Sequence, residues 1–174
     1  MEQLLVRLGA NQSDPINWLV YSQTENEIIA SGELPNADAL STLSERAGQR
    51  SIIALAPSSE ILLKWVTLPP RASRKVLAAI PFMLEDELAT DISKQFFAIG
   101  PKQGDQQAVA VVSHEKMQQW QQWLADANLF CSTIIPDVLA VPATPNGWSV
   151  LTIGEQLLVR QDVFKGVQGE QTWL

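Results

Sequence analysis

The sequence predicts an α/β protein made of one complete folding unit and the beginning of a second one. Two observations support this prediction. Short apolar runs typical of strands alternate with longer segments in which apolar residues recur at helical spacing. In addition, a group of three predicted strands stands at the N-terminus and another follows residue 148, after a linker at 141–147 that contains two prolines and a glycine.

The N-terminal third predicts three strands, a helix and a fourth strand. The three strands form an expected meander and lie at 4–9, 17–22 and 27–34. The following segment begins with Asn36, a good N-cap residue, and ends at Gly48, so it predicts a helix. The run "SIIALAP" at 51–57 is almost wholly apolar and ends in proline, which is typical of a buried strand.

The middle of the chain predicts strands and helices in alternation. In chain order they are a strand at 61–70, a helix at 73–89, a hairpin of strands at 95–100 and 107–113, a helix at 113–128 and a strand at 131–137. The helix at 73–89 carries Pro81, which should kink it. The helix at 113–128 has Ser113 as its predicted N-cap.

Three further strands are predicted after the linker, at 148–154, 155–162 and 163–174. The order β-β-β-α-β-α-β is that of a ribonuclease H-like unit, and it begins again near residue 148. Two such units in tandem form the actin-like ATPase fold. We therefore expect residues 1–145 to be the first half, with an inserted subdomain at about 95–135. Residues 146–174 would be the incomplete start of a truncated second half.

Composition excludes several classes of function. A net charge of −7 disfavours nucleic acid as a partner, because phosphate binding needs a basic surface. The chain has one cysteine and one histidine, which excludes the usual zinc sites and a disulfide framework. It has no run of about 18 apolar residues, so we expect any membrane attachment to use a segment outside this chain.

The turns that would hold a nucleotide lack the residues for it. In the actin-like fold, a short Asp-x-Gly pattern follows the first strand of each half and handles Mg²⁺ and phosphate. Here Arg7 and Leu8 precede Gly9, and Thr152 and Ile153 precede Gly154, so both acids are missing. A ribonuclease would need acids on the first and fourth strands, and these have none. We predict a degenerate nucleotide site, no enzyme activity, and no catalytic, cofactor-binding or metal-binding residues.

The helix at 73–89 carries the candidate site. Its apolar positions at 77, 80, 81, 84 and 88 form one stripe, which leaves Phe82 and Met83 on an outer face beside acids. The acids spread around the helix and do not converge on one metal ion. Two interpretations stay open: a solvated helix end, or a docking face for a basic partner. The predicted partner-binding residues are Phe82, Met83, Glu85, Asp86, Glu87 and Asp91.

Three segments resemble a known family. They are "LPPRASRKVLAAIPFMLEDELATDI" at 68–92, "IIPDVLAVP" at 134–142 and "EQLLVRQDVFKGVQGEQTWL" at 155–174. Together they are similar to the cytoplasmic domain of the type II secretion system protein L family, also called general secretion pathway protein L. The resemblance implies an actin-like fold without a working nucleotide site. It also implies a position on the cytoplasmic face of the bacterial inner membrane.

The resemblance further implies a non-catalytic adaptor that binds the N-terminal domain of the secretion ATPase, protein E. Protein M and other inner-membrane platform proteins are implied as further partners, and a homodimer is left open. Two alternatives remain: a divergent actin-like ATPase with unusual metal ligands, or a pilus-assembly scaffold similar to PilM with a different partner.

Overall fold

The computed structural model describes residues 1–71 and 73–172. Within them lie eleven strands: Glu2–Arg7 (β1), Ile16–Ser22 (β2), Glu27–Leu34 (β3), Ser51–Ala56 (β4), Leu62–Thr67 (β5), Gln95–Gln103 (β6), Gln106–Ser113 (β7), Thr133–Pro136 (β8), Ser149–Ile153 (β9), Gln156–Arg160 (β10) and Gly166–Glu170 (β11). The α-helices of the described part are Ser44–Ala47 (α1), Arg74–Ala78 (α2), Ile80–Leu84 (α3) and His114–Asp126 (α4). Its 3-10 helices are Ala37–Leu43, Ser58–Glu60, Glu85–Glu87, Ile92–Lys94 and Asp137–Ala140.

The first sheet has the strand order β3-β2-β1-β4-β8. The first three strands are antiparallel, which confirms the predicted meander, whereas β4 and β8 run parallel to β1. Alternate residues of β1, such as Leu4 and Val6, point into a core that also contains Leu40 of the first helical segment and Trp120 of α4. Two helical segments therefore cover one face of this sheet.

The predicted helix at 36–48 forms, but most of it is a 3-10 helix. Asn36 caps it as expected, because its side-chain oxygen accepts a hydrogen bond from the Asp38 backbone N–H at 3.0 Å. The Thr42 hydroxyl donates to the Ala39 carbonyl at 2.7 Å, a side-chain bond that competes with regular α-helical pairing. Gly48 ends the segment with a φ of 49°, a conformation that favours glycine.

The second sheet has the order β5-β7-β6, and all its pairs are antiparallel. The predicted hairpin is confirmed, although β6 continues to Gln103 through an irregular register between Ile99 and Lys102. Pro101 lies in that interval and has no N–H to donate to a regular ladder. Strand β5 was expected only as a strand; the structure shows that it belongs to this separate sheet.

The prediction of one kinked helix at 73–89 is wrong. The segment consists of α2, α3 and the 3-10 helix Glu85–Glu87, and the break falls at Ala79. Pro81 lies in the first turn of α3, where a residue without an N–H is tolerated because that donor would have no helical acceptor. The proline therefore begins a helix here instead of bending one.

Helix α4 returns the chain to the first sheet. Ser113 is its N-cap, as predicted, and accepts a hydrogen bond from the Lys116 N–H at 3.1 Å. The fully buried Trp120 donates its indole N–H to the Gly9 carbonyl at 3.0 Å, which ties α4 to the turn after β1. Residues 62–113 thus form the separate sheet, and α4 and β8 rejoin the first one. The predicted boundaries of the two halves and of the inserted subdomain stay a prediction.

The three strands predicted after the linker are present as β9 to β11, and they form an antiparallel C-terminal sheet with the order β11-β10-β9. The final two residues of the predicted strand at 163–174 lie outside the described residues. Leu158 and Phe164 pack with Leu63 and Ala108 of the second sheet, and with Val138. This apolar cluster attaches the C-terminal sheet to the rest of the molecule.

Candidate partner-binding surface

The inner side of α3 fixes this short helix on the second sheet. Ile80 and Leu84 are buried and pack with Val66 of β5 and with Val109 and Val111 of β7. Residues four apart lie on one side of a helix, so these two side chains form a single inward anchor. The predicted apolar stripe is therefore present, even though the helix that carries it is much shorter than expected.

The outer side of α3 presents two large apolar side chains. Phe82 is 69% exposed and Met83 is 46% exposed. Both lie between Ile80 and Leu84 in sequence, and the helical turn directs them away from the sheet. Burial of neighbouring exposed Phe and Met side chains is favourable because it removes apolar area from water, so this surface is suited to contact with another molecule.

The acids after α3 differ in their surroundings. Glu85 and Asp86 are exposed, and neither takes part in an ion pair among the described residues. Glu87, by contrast, forms an ion pair with Lys64 of β5, so its charge is already neutralised in part. We refer to the four residues Phe82, Met83, Glu85 and Asp86 as the α3 face.

Asp91 caps the next helical turn. Its carboxylate accepts a hydrogen bond from the Ser93 backbone N–H at 2.8 Å and begins the 3-10 helix Ile92–Lys94. This bond lowers the pKa of the Asp91 carboxyl, and a hydrogen bond from the Ser93 side chain and the charge of Lys94 act in the same direction. Of the six predicted site residues, Glu87 and Asp91 thus already have internal partners.

The acidic segment is not arranged as a metal site. Within residues 1–71 and 73–172, no group of three or more His, Cys, Asp or Glu side chains is placed to hold a metal ion. It offers instead exposed apolar area, with two exposed carboxylates beside it.

A second feature, which sequence reasoning missed, lies in the cleft between the first sheet and the C-terminal sheet. The guanidinium of Arg7 donates through Nε to Asp137 Oδ2 at 2.9 Å and through Nη2 to Gln156 Oε1 at 2.8 Å. Asp137 also accepts from the Ser58 N–H at 2.9 Å and from its hydroxyl at 2.6 Å. The sequence signal is an arginine directly after the apolar residues 4–6 of β1, because a largely buried charge there needs a counter-charge.

The residues of this cleft do not fit a magnesium nucleotide. The cleft, of about 320 Å³, is lined by the carboxylates of Asp14, Glu33, Glu155 and Glu170. Such groups can bind Mg²⁺, but they repel the phosphates of a nucleotide. The guanidinium of Arg7, which also lines the cleft, is already bound to Asp137 and Gln156 and is therefore not free to pair with a phosphate.

The turn after β1 is also closed. The Asn11 N–H donates to the Asp14 carboxylate at 2.8 Å, so this donor is used within the turn and is not free to bind a phosphate. A Cβ on Gly9 would lie 2.4 Å from Asp14 Cβ, which shows how tightly the turn is packed on itself. The corresponding turn of the C-terminal sheet has two residues, and Gly154 takes a φ of 59° there. Neither turn offers a phosphate cradle.

The comparisons with known proteins agree with one another. A family profile described as "Type II secretion system (T2SS), protein L" matches residues 4–174. Type II secretion system protein L of Vibrio cholerae serotype O1 is 33% identical over 173 residues, which are 99% of this chain and 42% of that protein. The protein of the same name from Dickeya chrysanthemi is 31% identical over 175 residues, 99% of this chain and 43% of its own length. The chain thus spans less than half the length of these relatives.

Two solved structures share the fold. The cytoplasmic domain of EpsL, described as an inner membrane component of the type II secretion system of Vibrio cholerae, superposes with a TM-score of 0.91 at 33% identity. That match covers 100% of this chain and 73% of the solved one. A PilM-PilN type IV pilus biogenesis complex matches with a TM-score of 0.60 at 17% identity, over 91% of this chain and 57% of that one. The second likeness concerns the fold alone.

The fold and the cleft define an actin-like α/β protein in which the chain's own side chains bridge the cleft, which confirms the predicted fold class. The extent of the family match settles which kind of actin-like protein it is. This chain belongs to the type II secretion system protein L family. Within the described part, no helix is both long enough and apolar enough to cross a membrane.

Proposed function

We propose that this chain is the region of a secretion-system protein L that recruits the secretion ATPase, as a non-catalytic adaptor on the cytoplasmic face of the inner membrane. Its partner in this proposal is the N-terminal domain of the ATPase, protein E. Family membership supports the assignment, as does the likeness to the cytoplasmic domain of an inner-membrane component.

The observation that carries the proposal is the composition of the α3 face. Phe82 offers an exposed aromatic ring, and aromatic residues at interfaces commonly account for most of the binding energy. Glu85 and Asp86 stand next to it without an ion pair among the described residues, in a protein whose net charge is −7. The partner surface should therefore combine an apolar pocket with lysine or arginine side chains at its rim.

The cleft supports the non-catalytic part of the proposal. Its carboxylates would repel phosphates, its arginine is already paired with Asp137, and the turn after β1 is packed on Asp14. In this proposal residues 1–145 form the first half of the fold and 146–174 begin the second. Protein M and other inner-membrane platform proteins are further partners in this proposal.

The test is calorimetric titration of the 174-residue chain with the N-terminal domain of the ATPase. The Phe82→Ala and Asp86→Arg variants should each weaken binding by about tenfold or more, the effect of losing a central interface residue. Phe130→Ala and Glu25→Arg are matched controls, because Phe130 is 86% exposed and Glu25 is an exposed acid, both outside the α3 face. The controls should bind like the wild type.

The outcomes distinguish whether the chain binds the ATPase domain from whether it does so through the α3 face. Wild-type binding that neither α3 variant weakens would place the interface elsewhere on the chain. Absence of wild-type binding would contradict recruitment of this partner. Titration with ATP and Mg²⁺ tests the non-catalytic part, since micromolar binding would favour the divergent ATPase.

A further inference from the structure

A continuous polar bridge links the first sheet to the C-terminal sheet. Arg7 of β1 contacts both Asp137, which follows β8, and Gln156 of β10. Gln156 Oε1 also accepts from Gln168 Nε2 of β11 at 3.0 Å, and Gln168 Oε1 accepts from the Ser59 N–H at 3.2 Å. We call Arg7, Asp137, Gln156 and Gln168 the polar bridge. It joins three parts of the chain that lie far apart in sequence.

The bridge acts at a different place from the apolar contact. Phe164 attaches the C-terminal sheet to the second sheet, with its ring 5.9 Å from that of Trp65 in an edge-on arrangement. Gln156 lies at the other end of β10, beside the turn that connects it to β9. Arg160, at the same end of β10 as Phe164, also donates through Nη1 to the Leu139 and Val141 carbonyls at 2.8 and 2.6 Å. The polar bridge adds an attachment at the opposite end of β10, and attachments at both ends restrict the orientation of the sheet.

The Arg7–Asp137 pair of the polar bridge is largely buried. Asp137 is 1% exposed and Arg7 is 11% exposed, so their interaction is only weakly screened by water or salt. Asp137 is further satisfied by the two hydrogen bonds from Ser58. The pair is held in one geometry by hydrogen bonds from Arg7 Nε and Nη2 and from Ser58, and a largely buried pair fixed in this way is a good positioning device.

We infer that the polar bridge sets the orientation of the C-terminal sheet against the first sheet, in the cleft where the residues oppose a magnesium nucleotide. In this inference the chain's own side chains span the cleft, and the arrangement of the two sheets does not depend on a nucleotide. Arg7 and Gln156 are the positioning residues, and Phe164 is the separate apolar anchor.

Amide hydrogen exchange of the 174-residue chain tests this inference, because local opening of one sheet appears as faster exchange in that sheet alone. Arg7→Met and Gln156→Ala should accelerate exchange in β9 to β11, by roughly tenfold to a hundredfold for the charged partner and severalfold for the amide. Exchange in β6 and β7 should stay unchanged. Arg50→Gln is the matched control, since Arg50 pairs with Glu2 on the first sheet, away from the cleft.

Two results would overturn the inference. One is exchange in β9 to β11 that Gln156→Ala leaves unchanged; Gln156 is exposed, so this variant should fold even where Arg7→Met does not. The other is slower exchange in β9 to β11 of the wild type on addition of ATP and Mg²⁺, which would show that a nucleotide still sets the orientation. Unchanged exchange with nucleotide is the supporting result.

Discussion

Arg7 Nε and Asp137 Oδ2 lie 2.9 Å apart, although 130 residues separate them in sequence. The contact joins the end of β1 to the 3-10 helix after β8, and through Gln156 it reaches β10. Arg7, the last residue of β1, thus connects the first sheet to the C-terminal sheet. The stability of this cleft should depend strongly on both partners.

Removal of one partner of the Arg7–Asp137 pair should lower the free energy of unfolding substantially. Asp137→Ala leaves the Arg7 guanidinium and both Ser58 donors without their acceptor, so the free energy of unfolding should fall by about 3–5 kcal/mol. Urea denaturation followed by tryptophan fluorescence measures this. Glu2→Ala is the control, because it removes the partly exposed Arg50–Glu2 pair and should cost only about 0–1 kcal/mol. Equal losses in the two variants would contradict a special role for the cleft pair.

The two sides of α3 should respond differently to truncation. Ile80 is fully buried in the cluster with Val66 and Val109, so Ile80→Ala should lower the free energy of unfolding by about 2–5 kcal/mol. Phe82→Ala, on the exposed side of the same helix, should change it by less than about 0.5 kcal/mol. Thermal and urea unfolding provide the comparison. A large loss for Phe82→Ala would mean that this ring supports the fold, and binding data on that variant would no longer report on docking.

Binding at the α3 face should depend on salt. Glu85 and Asp86 are exposed, and attraction between exposed charges is largely screened once the Debye length falls from about 10 Å at 0.1 M to about 3 Å at 1 M salt. Affinity for the ATPase domain should therefore fall as salt rises, and the Glu85→Gln/Asp86→Asn double variant should show a flatter dependence. Titrations at several salt concentrations measure both slopes. Parallel slopes would exclude these carboxylates from the interface.

Asp91 should titrate below the usual range for aspartate. The hydrogen bond from the Ser93 N–H lowers the pKa of the Asp91 carboxyl in the folded chain. The stabilisation of this cap is therefore fully present above the unfolded value of about 3.9, and is lost as the pH falls through the lower folded pKa.

The Ser93 amide shift, followed by NMR during acid titration, reports this midpoint. Asp91→Asn keeps a side-chain oxygen acceptor but cannot ionise, so its Ser93 shift should stay flat over the same range. A wild-type midpoint at or above 3.9 would contradict the capping role.

Local signals predicted most of the secondary structure. Alternation of apolar residues located the strands of the first meander, and Asn36 and Ser113 marked helix starts correctly because a cap acts within three residues of itself. The break at Ala79 was not predictable in this way. An apolar stripe of period 3.6 is compatible with one helix or with two short ones, and the second sheet, on which Ile80 and Leu84 pack, is not visible in that pattern.

At the candidate surface, too, the sequence predicted local features but not contacts between distant segments. Helical spacing correctly placed Phe82 and Met83 on the outside. It could not reveal that Glu87 pairs with Lys64, because this contact arises where a 3-10 helix packs on the second sheet. Nor could it reveal that Arg7 meets Asp137, because that contact depends on the order of β1, β4 and β8 in the first sheet. Whether the α3 face binds a partner stays a prediction.

The second sheet is formed by one uninterrupted stretch of chain, from Leu62 to Ser113, and the α3 face lies within that stretch. The first sheet and the cleft draw their strands from outside it. The proposed docking residues therefore lie outside the chain segments that supply the strands of the first sheet and of the cleft. On the proposed function, substitutions at the exposed positions of the α3 face can adapt it to a changed partner. Leu63, Ala108 and Val112 of the same stretch pack in cores shared with the other sheets and belong to the framework.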